Sequence, residues 1–199
     1  MADKLKIMVA STIYGFQDQL EIICNLIDSF GHYQVMNSHM KTLPVYPHLS
    51  AQDTCLAAVA ECDLFFGIIR PRYGAVVEEP YSITHREITK SIELRKPRWL
   101  ICHRDIIVAR QLLKQYMYNA DESPNLAFSY KKTILMDDIR LVDMYNEATM
   151  DDIPPEDRVG HWVDEFYRLD DIKKCVITNF SDIHRVKLII DQMKGKIDE

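Results

Sequence analysis

The chain reads as a three-layer α/β fold, a parallel sheet of about five strands with helices on both faces, followed by an elaborated helical C-terminal part. Three observations carry this. Short apolar runs alternate with segments of helical spacing, the rhythm of strand–helix–strand units. The run from Leu64 to Ile69 is apolar throughout, which suits a strand buried on both faces. A loop with Pro71, Gly74 and Pro80 follows it, then a helical pattern from Ser82, then a second apolar run at Trp99 to Cys102. That is a complete βαβ unit, and in open α/β sheets ligands sit where such loops leave the carboxyl ends of the strands.

The elements justify themselves in order. Lys4 to Met8 leads into Val9-Ala10-Ser11-Thr12, a first strand ending in small hydroxyl residues. From Gly15 a helix carries Leu20, Ile23, Leu26, Ile27 and Phe30 at helical spacing, and Gly31 is its natural stop. Tyr33 to Met36 is a short second strand. Asn37 to Leu49, interrupted by Pro44 and Pro47, is a long loop, after which Ser50 caps a helix with Cys55, Leu56, Val59 and Ala60 on its apolar face. The central strand comes next. The helix after it ends around Arg95, because Pro97 disfavours helical backbone at Lys96.

Beyond Cys102 the spacing predicts helices over Asp105 to Tyr118 and Thr133 to Glu147, with a break at Asp121 to Asn125. Thr149 to Asp157 is an acidic, Pro-containing exposed connection. Gly160 to Phe166 reads as the last strand, and helices over Asp170 to Phe180 and Asp182 to Lys194 finish the chain, Ser181 capping the second. The strand count and rhythm correspond to a flavodoxin-like arrangement in preference to an antiparallel α+β one. A single domain over 1–199 is expected, its core at about 5–110 and its extension at about 111–199 completing the sheet.

Composition narrows the function classes. The chain has 199 residues, of which 47% are hydrophobic and 27% charged, ordinary values for a globular protein. A net charge of −6 argues against a general nucleic-acid binder, which carries a basic excess. No apolar run reaches the roughly 18 residues a membrane span needs, and the N-terminus lacks a signal-peptide pattern, so a cytoplasmic protein is expected. Five cysteines, scattered in apolar contexts without a CxxC pair, read as buried free thiols, and structural zinc is not expected. A Ser-His-Asp triad, a Walker A loop and a GxGxxG motif are all absent.

Several stretches together resemble a known family. They are Val9-Ala10-Ser11-Thr12 before a helix, Asp63 to Ile69, Arg72-Tyr73-Gly74, Ser82 to Glu87, and Lys96-Pro97 before a strand. This pattern is similar to a TIR-like domain of unassigned function that often stands at the front of larger signalling ATPases. The similarity covers about residues 5 to 110 and extends to the tail from Trp162 to Phe180. Two departures stand out: Ala10 replaces the first Ser of the family's Ser-Ser-Thr, and Arg70-Pro71 replaces the Gly after the central strand. No ATPase module follows, so the chain is expected to act alone or with a separately encoded effector protein, and to self-associate.

More distantly the pattern resembles TIR domains and nucleoside deoxyribosyltransferases. In both, an early helix glutamate attacks or stabilises a ribosyl C1′ while an N-glycosidic bond breaks. The resemblance assigns that role to Glu87 and implies NAD+ as substrate, no resident cofactor, and a place among the nucleotide-signal producers of bacterial antiphage defence. Helical spacing puts Glu87 on the face of Ile83 and Leu94. A purely local reading also stands, in which Thr84-His85-Arg86-Glu87 is a capping box.

The remaining candidates carry the same duality. Ser11 and Thr12 can hydrogen-bond a ribose or phosphate, or simply turn the chain. Arg70 and Arg72 can clamp a pyrophosphate bidentately, or lie solvated. Tyr73 can stack on a base or bury its ring in a turn, and Ser82 can cap the helix while touching the ribose. Glu78-Glu79 reads as an exposed acidic turn, and His85 and His103 have no evident partner. Three functions are compatible: an NAD-cleaving enzyme, a nucleoside or nucleotide N-ribosyl hydrolase or transferase, and a non-catalytic interaction module.

Overall fold

A computed structural model describes residues 4–78, 80–121 and 123–195. The first strand, β1 (Leu5–Ser11), leads into α1 (Gln17–Ser29), β2 (Tyr33–Met36), α2 (Ala51–Glu61) and the central β3 (Leu64–Ile69). A small hairpin, β4 (Val76–Glu78) and β5 (Tyr81–Ser82), precedes α3 (Ile83–Glu93) and β6 (Arg98–His103). Then come α4 (Arg104–Met117), α5 (Arg140–Thr149), β7 (Val163–Phe166), α6 (Leu169–Phe180) and α7 (Ile183–Gly195).

The main sheet runs β2-β1-β3-β6-β7 and every pairing in it is parallel. With the hairpin set aside this is the flavodoxin-like order, with its switch point between β1 and β3. β3 is buried along its whole length because strands flank it on both edges and helices cover both faces. Residues alternate between two cores. Leu64, Phe66 and Ile68 face α1, α6 and α7, whereas Phe65 and Ile69 face α2, α3, α4 and α5.

Each core has an anchor. On the first face Phe180, at the end of α6, meets the rings of Phe66 at 5.5 Å and Trp99 at 5.1 Å, and its carbonyl accepts the Tyr33 hydroxyl at 2.8 Å. On the second, Gly67 brings α3 down onto the sheet. A Cβ there would sit 2.6 Å from Leu100 Cδ2 and 3.5 Å from Ile88. All five cysteines are buried and free, as their contexts suggest. Among the described residues no helix is long and apolar enough to cross a membrane.

Four local expectations are corrected. The hairpin β4–β5 interrupts what reads as plain loop, and Glu79 of the expected acidic turn lies outside the described residues. Residues 133–139 are not helical: Asp138 accepts the Arg140 N–H at 2.9 Å, so α5 starts there instead. The last strand begins at Val163, because Gly160 turns at φ +70° beside the Arg98 guanidinium. Asp182 accepts the N–H groups of His184 and Arg185 and so caps α7, while the Ser181 hydroxyl donates back to Ile177.

Candidate functional site

The carboxyl ends of β1, β3, β6 and β7 meet along one edge of the sheet, where the residues after each strand become neighbours. Arg70, one residue past β3, reaches over the β1–α1 connection. Its Nη1 donates to the carbonyls of Thr12 (2.9 Å) and Tyr14 (3.2 Å), its Nη2 to that of Gly15 (3.3 Å), and its guanidinium covers the Phe16 ring. Burial and the nearby Arg72 charge, against the attraction of Asp137, lower Arg70 to about 10.

Ser11 and Thr12 are buried at the same place. The Ser11 hydroxyl donates to the Thr12 carbonyl, and a Cβ on Gly74 would meet Thr12 Oγ1 at 2.9 Å. Gly74 stands at φ +91°, so this close approach and the left-handed turn both need glycine.

Below Arg70 and Arg72 a cavity of about 310 Å³ opens between the first turns of α1 and α6. Arg70, Arg72 and Arg168 line it with His103, Asp105 and Tyr167. Burial holds His103 below its ordinary value, with the Arg70 charge acting the same way against the attraction of Asp105. A neighbouring cavity of about 640 Å³ shares Arg72 and adds Tyr14, Lys132 and Asp137.

Tyr73 and Ser82 lie on the other side of the loop. The Tyr73 ring is buried under the Arg140 guanidinium, and its hydroxyl sits 2.7 Å from His85 Nδ1. Burial raises this phenol to about 12. The buried His85 also brings Nε2 to 3.2 Å from Glu147 Oε1, without the geometry of a well-directed hydrogen bond. Burial pushes Glu147 up, but His85 and the Thr89 hydroxyl outweigh it and leave the carboxyl below its ordinary value. The histidine without an evident partner in the sequence thus has two. The sequence holds no signal for Glu147, which comes from a helix 62 residues further on.

Ser82 is the N-cap of α3 and accepts the His85 N–H at 3.3 Å. The capping box at Thr84 is therefore corrected: Glu87 is in the second turn and cannot reach back to the cap. It is buried with Thr84, Ile88 and Ser91, and Leu94 lies at the exposed C-cap of the same helix. Only 6% exposed, Glu87 lies at the packing of α3 on α2, hydrogen-bonded with the Cys55 thiol. Burial raises the carboxyl to about 8, opposed in part by that thiol, and Cys55 itself rises to about 12, chiefly through burial and then through the Glu87 charge.

The candidates therefore fall into two groups. Ser11, Thr12, Arg70 and Arg72 gather at the switch-point edge beside the cavity under α1 and α6. Tyr73 and Ser82 join His85, and Glu87 sits on the opposite face of the sheet, outside the linings of the two arginine cavities. Arg168 was missed in the sequence. It could have been found by asking which charged residues follow each strand, since it stands two past β7 as Arg70 stands one past β3. Among the described residues no group of His, Cys, Asp or Glu could hold a metal ion.

No curated protein matches the chain. The parallel α/β fold is compatible with a TIR-like domain, and the family that matches, over residues 6–158, is described as domain of unknown function DUF4062. Since that match spans most of the sequence and the whole sheet up to β6, the chain belongs to the DUF4062 family.

Proposed function

We propose that this chain cleaves the nicotinamide N-glycosidic bond of NAD+, with Glu87 as the carboxylate that stabilises or bonds to ribosyl C1′. One observation carries the reading: a glutamate is buried early in the helix that follows the central strand, and its proton affinity is raised to about 8. A carboxyl whose proton affinity is raised by burial near a sheet's ligand-binding edge is a candidate for bond-making chemistry.

The chemistry follows from charge. In the empty protein Glu87 is mostly protonated at neutral pH. NAD+ carries a positive pyridinium, and a cation beside the carboxyl favours its ionised form. As the C1′–N bond breaks, the bonding pair leaves with nicotinamide and the positive charge passes to the ribose. The Glu87 carboxylate meets that charge in a site from which water is excluded. Water then adds at C1′, its proton passes to Glu87, and ADP-ribose forms. A nucleotide signal made this way fits a role in antiphage defence.

The test is NAD+ consumption by wild type and Glu87→Gln, with a deoxynucleoside run in parallel. Loss of nicotinamide release in the variant supports the reading. Release of free base from the deoxynucleoside alone would move the activity to an N-ribosyl hydrolase or transferase. Unchanged turnover in a folded Glu87→Gln protein would overturn the catalytic role.

A second reading, a non-catalytic self-associating module, rests on a different observation. Val108, Leu112 and Leu135 are exposed along a groove between α4 and residues 130–136. Inactivity on both substrates, together with concentration-dependent assembly in light scattering, would favour it.

A further inference from the structure

We propose that the cavity between the first turns of α1 and α6 is a binding site for a phosphate or diphosphate group, held by Arg72 and Arg168 with Arg70 fixed behind them. The inference stands on the geometry of this cavity and does not require Glu87 to be catalytic.

The charge distribution carries the inference. The chain carries a net −6, yet three guanidinium groups and a single carboxylate, Asp105, line this one cavity of about 310 Å³. Arg72 has Asp137 at 3.9 Å, at the outer limit of an ion pair. Arg70 gives its outer N–H groups to three backbone carbonyls, which fix its position but leave its charge uncompensated by any of them. The closeness of Arg72 disfavours the Arg70 charge further. Like charges held together at a cavity are relieved by an anion, and guanidinium groups match phosphate oxygens in pairs.

The helix starts that flank the cavity do not carry this charge themselves. Neither α1 nor α6 begins with a side chain that accepts its first free N–H groups in the ordinary way. Phe16 has no acceptor, and Arg168 carries a donor. In α6 Asp171 turns back to the N–H groups of Tyr167 and Arg168. The first turns also carry carboxylates, Asp18 on α1 and Asp170 and Asp171 on α6, so the positive potential of the cavity comes from the arginines that line it. The exposed Tyr167 and the rim residue Ile134 offer surface for a group attached to the phosphate.

Two sources share this chemistry, the diphosphate of a nucleotide substrate and a separate phosphorylated effector. Calorimetric titration of the full chain with inorganic pyrophosphate, and then with ADP-ribose, tests the site. Three variants accompany wild type: Arg72→Gln/Arg168→Gln, Arg168→Gln alone, and Glu87→Gln. The expected result is saturable, salt-sensitive binding that falls at least about ten-fold in the double variant and is retained in Glu87→Gln. The Arg168 side chain is exposed, so its single variant keeps the test valid if the double variant fails to fold.

Mutual exclusion between pyrophosphate and NAD+ would support the site as the substrate's diphosphate subsite. Simultaneous binding of both would support it as an effector site. Absence of saturable binding of either anion by wild type would overturn the proposal. So would undiminished affinity in the arginine variants, which would mean that the anion binds elsewhere. Loss of NAD+ cleavage in Glu87→Gln with pyrophosphate binding intact separates this site from the catalytic reading.

Discussion

The two faces of the sheet treat ionisable groups in opposite ways at the same carboxyl edge. On the face of α1 and α6, three arginines stand around an open cavity, and their charges stay partly solvated. On the face of α2 and α3, a single carboxyl is buried against a thiol and held mostly neutral. The difference comes from what covers each strand end. After β3 the chain turns through Pro71, Tyr73 and Gly74 into a hairpin whose exit starts α3, and the second turn of α3 packs against α2. The start of α6 leaves a gap beside α1 that side chains line without filling. One edge therefore presents two environments: a desolvated acid buried between helices, and a cavity lined by guanidinium groups.

The largest expected effect tests the buried side. Glu87→Gln should lower NAD+ turnover by at least about 10³-fold, about 4 kcal/mol of transition-state stabilisation, measured as nicotinamide release. Circular dichroism should show the fold unchanged, because Gln keeps the size of the side chain. Arg168→Gln, on the solvated side, should leave stability within about 0.5 kcal/mol of wild type in urea denaturation, as expected of an exposed surface residue.

Removing the anchor of the first core comes next. Phe180→Ala deletes the ring that joins Phe66, Trp99 and Tyr33, at an expected cost of about 3–5 kcal/mol in urea denaturation. Gly67→Ala on the second face should cost about 1–3 kcal/mol by forcing Leu100 and Phe65 aside. A smaller loss from Phe180→Ala than from Gly67→Ala would reverse the assignment of the stronger anchor.

The pH dependence of stability sharpens the contrast further. The folded protein holds the Glu87 proton more tightly than the unfolded chain, whose value is near 4.5, so below that value the contribution is fully present. It is lost as pH rises through about 8, and stability should fall across that window by up to a few kcal/mol. The slope should be shallower in Glu87→Gln, followed by thermal unfolding from pH 5 to 9. An identical slope in both proteins would mean that Glu87 is solvated in solution. Tyr73→Phe should cost about 1 kcal/mol, the hydrogen bond to His85, measured by the same unfolding.

Much of the architecture was legible because it is written at short range. The apolar run of β3, the spacing of α1 and the Gly31 stop, the Ser50 cap and the Pro97 boundary are each set by a few neighbouring residues. The hairpin was not legible, since strands of three and two residues leave no periodicity to read. The start of α5 was misread for a related reason: the apolar spacing continues through 133–139, but Asp138 takes a backbone N–H and begins the helix later.

What the sequence by itself determined is the order of strands and helices, the apolar faces that form the two cores, and the residue types gathered around the central loop. Local backbone preference and side-chain period suffice for these. Only the tertiary structure decided what those residues touch. It turned Glu87 inward to Cys55, gave the buried His85 both Tyr73 and Glu147, strapped Arg70 to the β1–α1 connection, and brought Arg168 beside Arg72 at the cavity. The reason is physical: burial, charge and proton affinity depend on neighbours that lie dozens of residues away along the chain and meet only when the sheet is assembled.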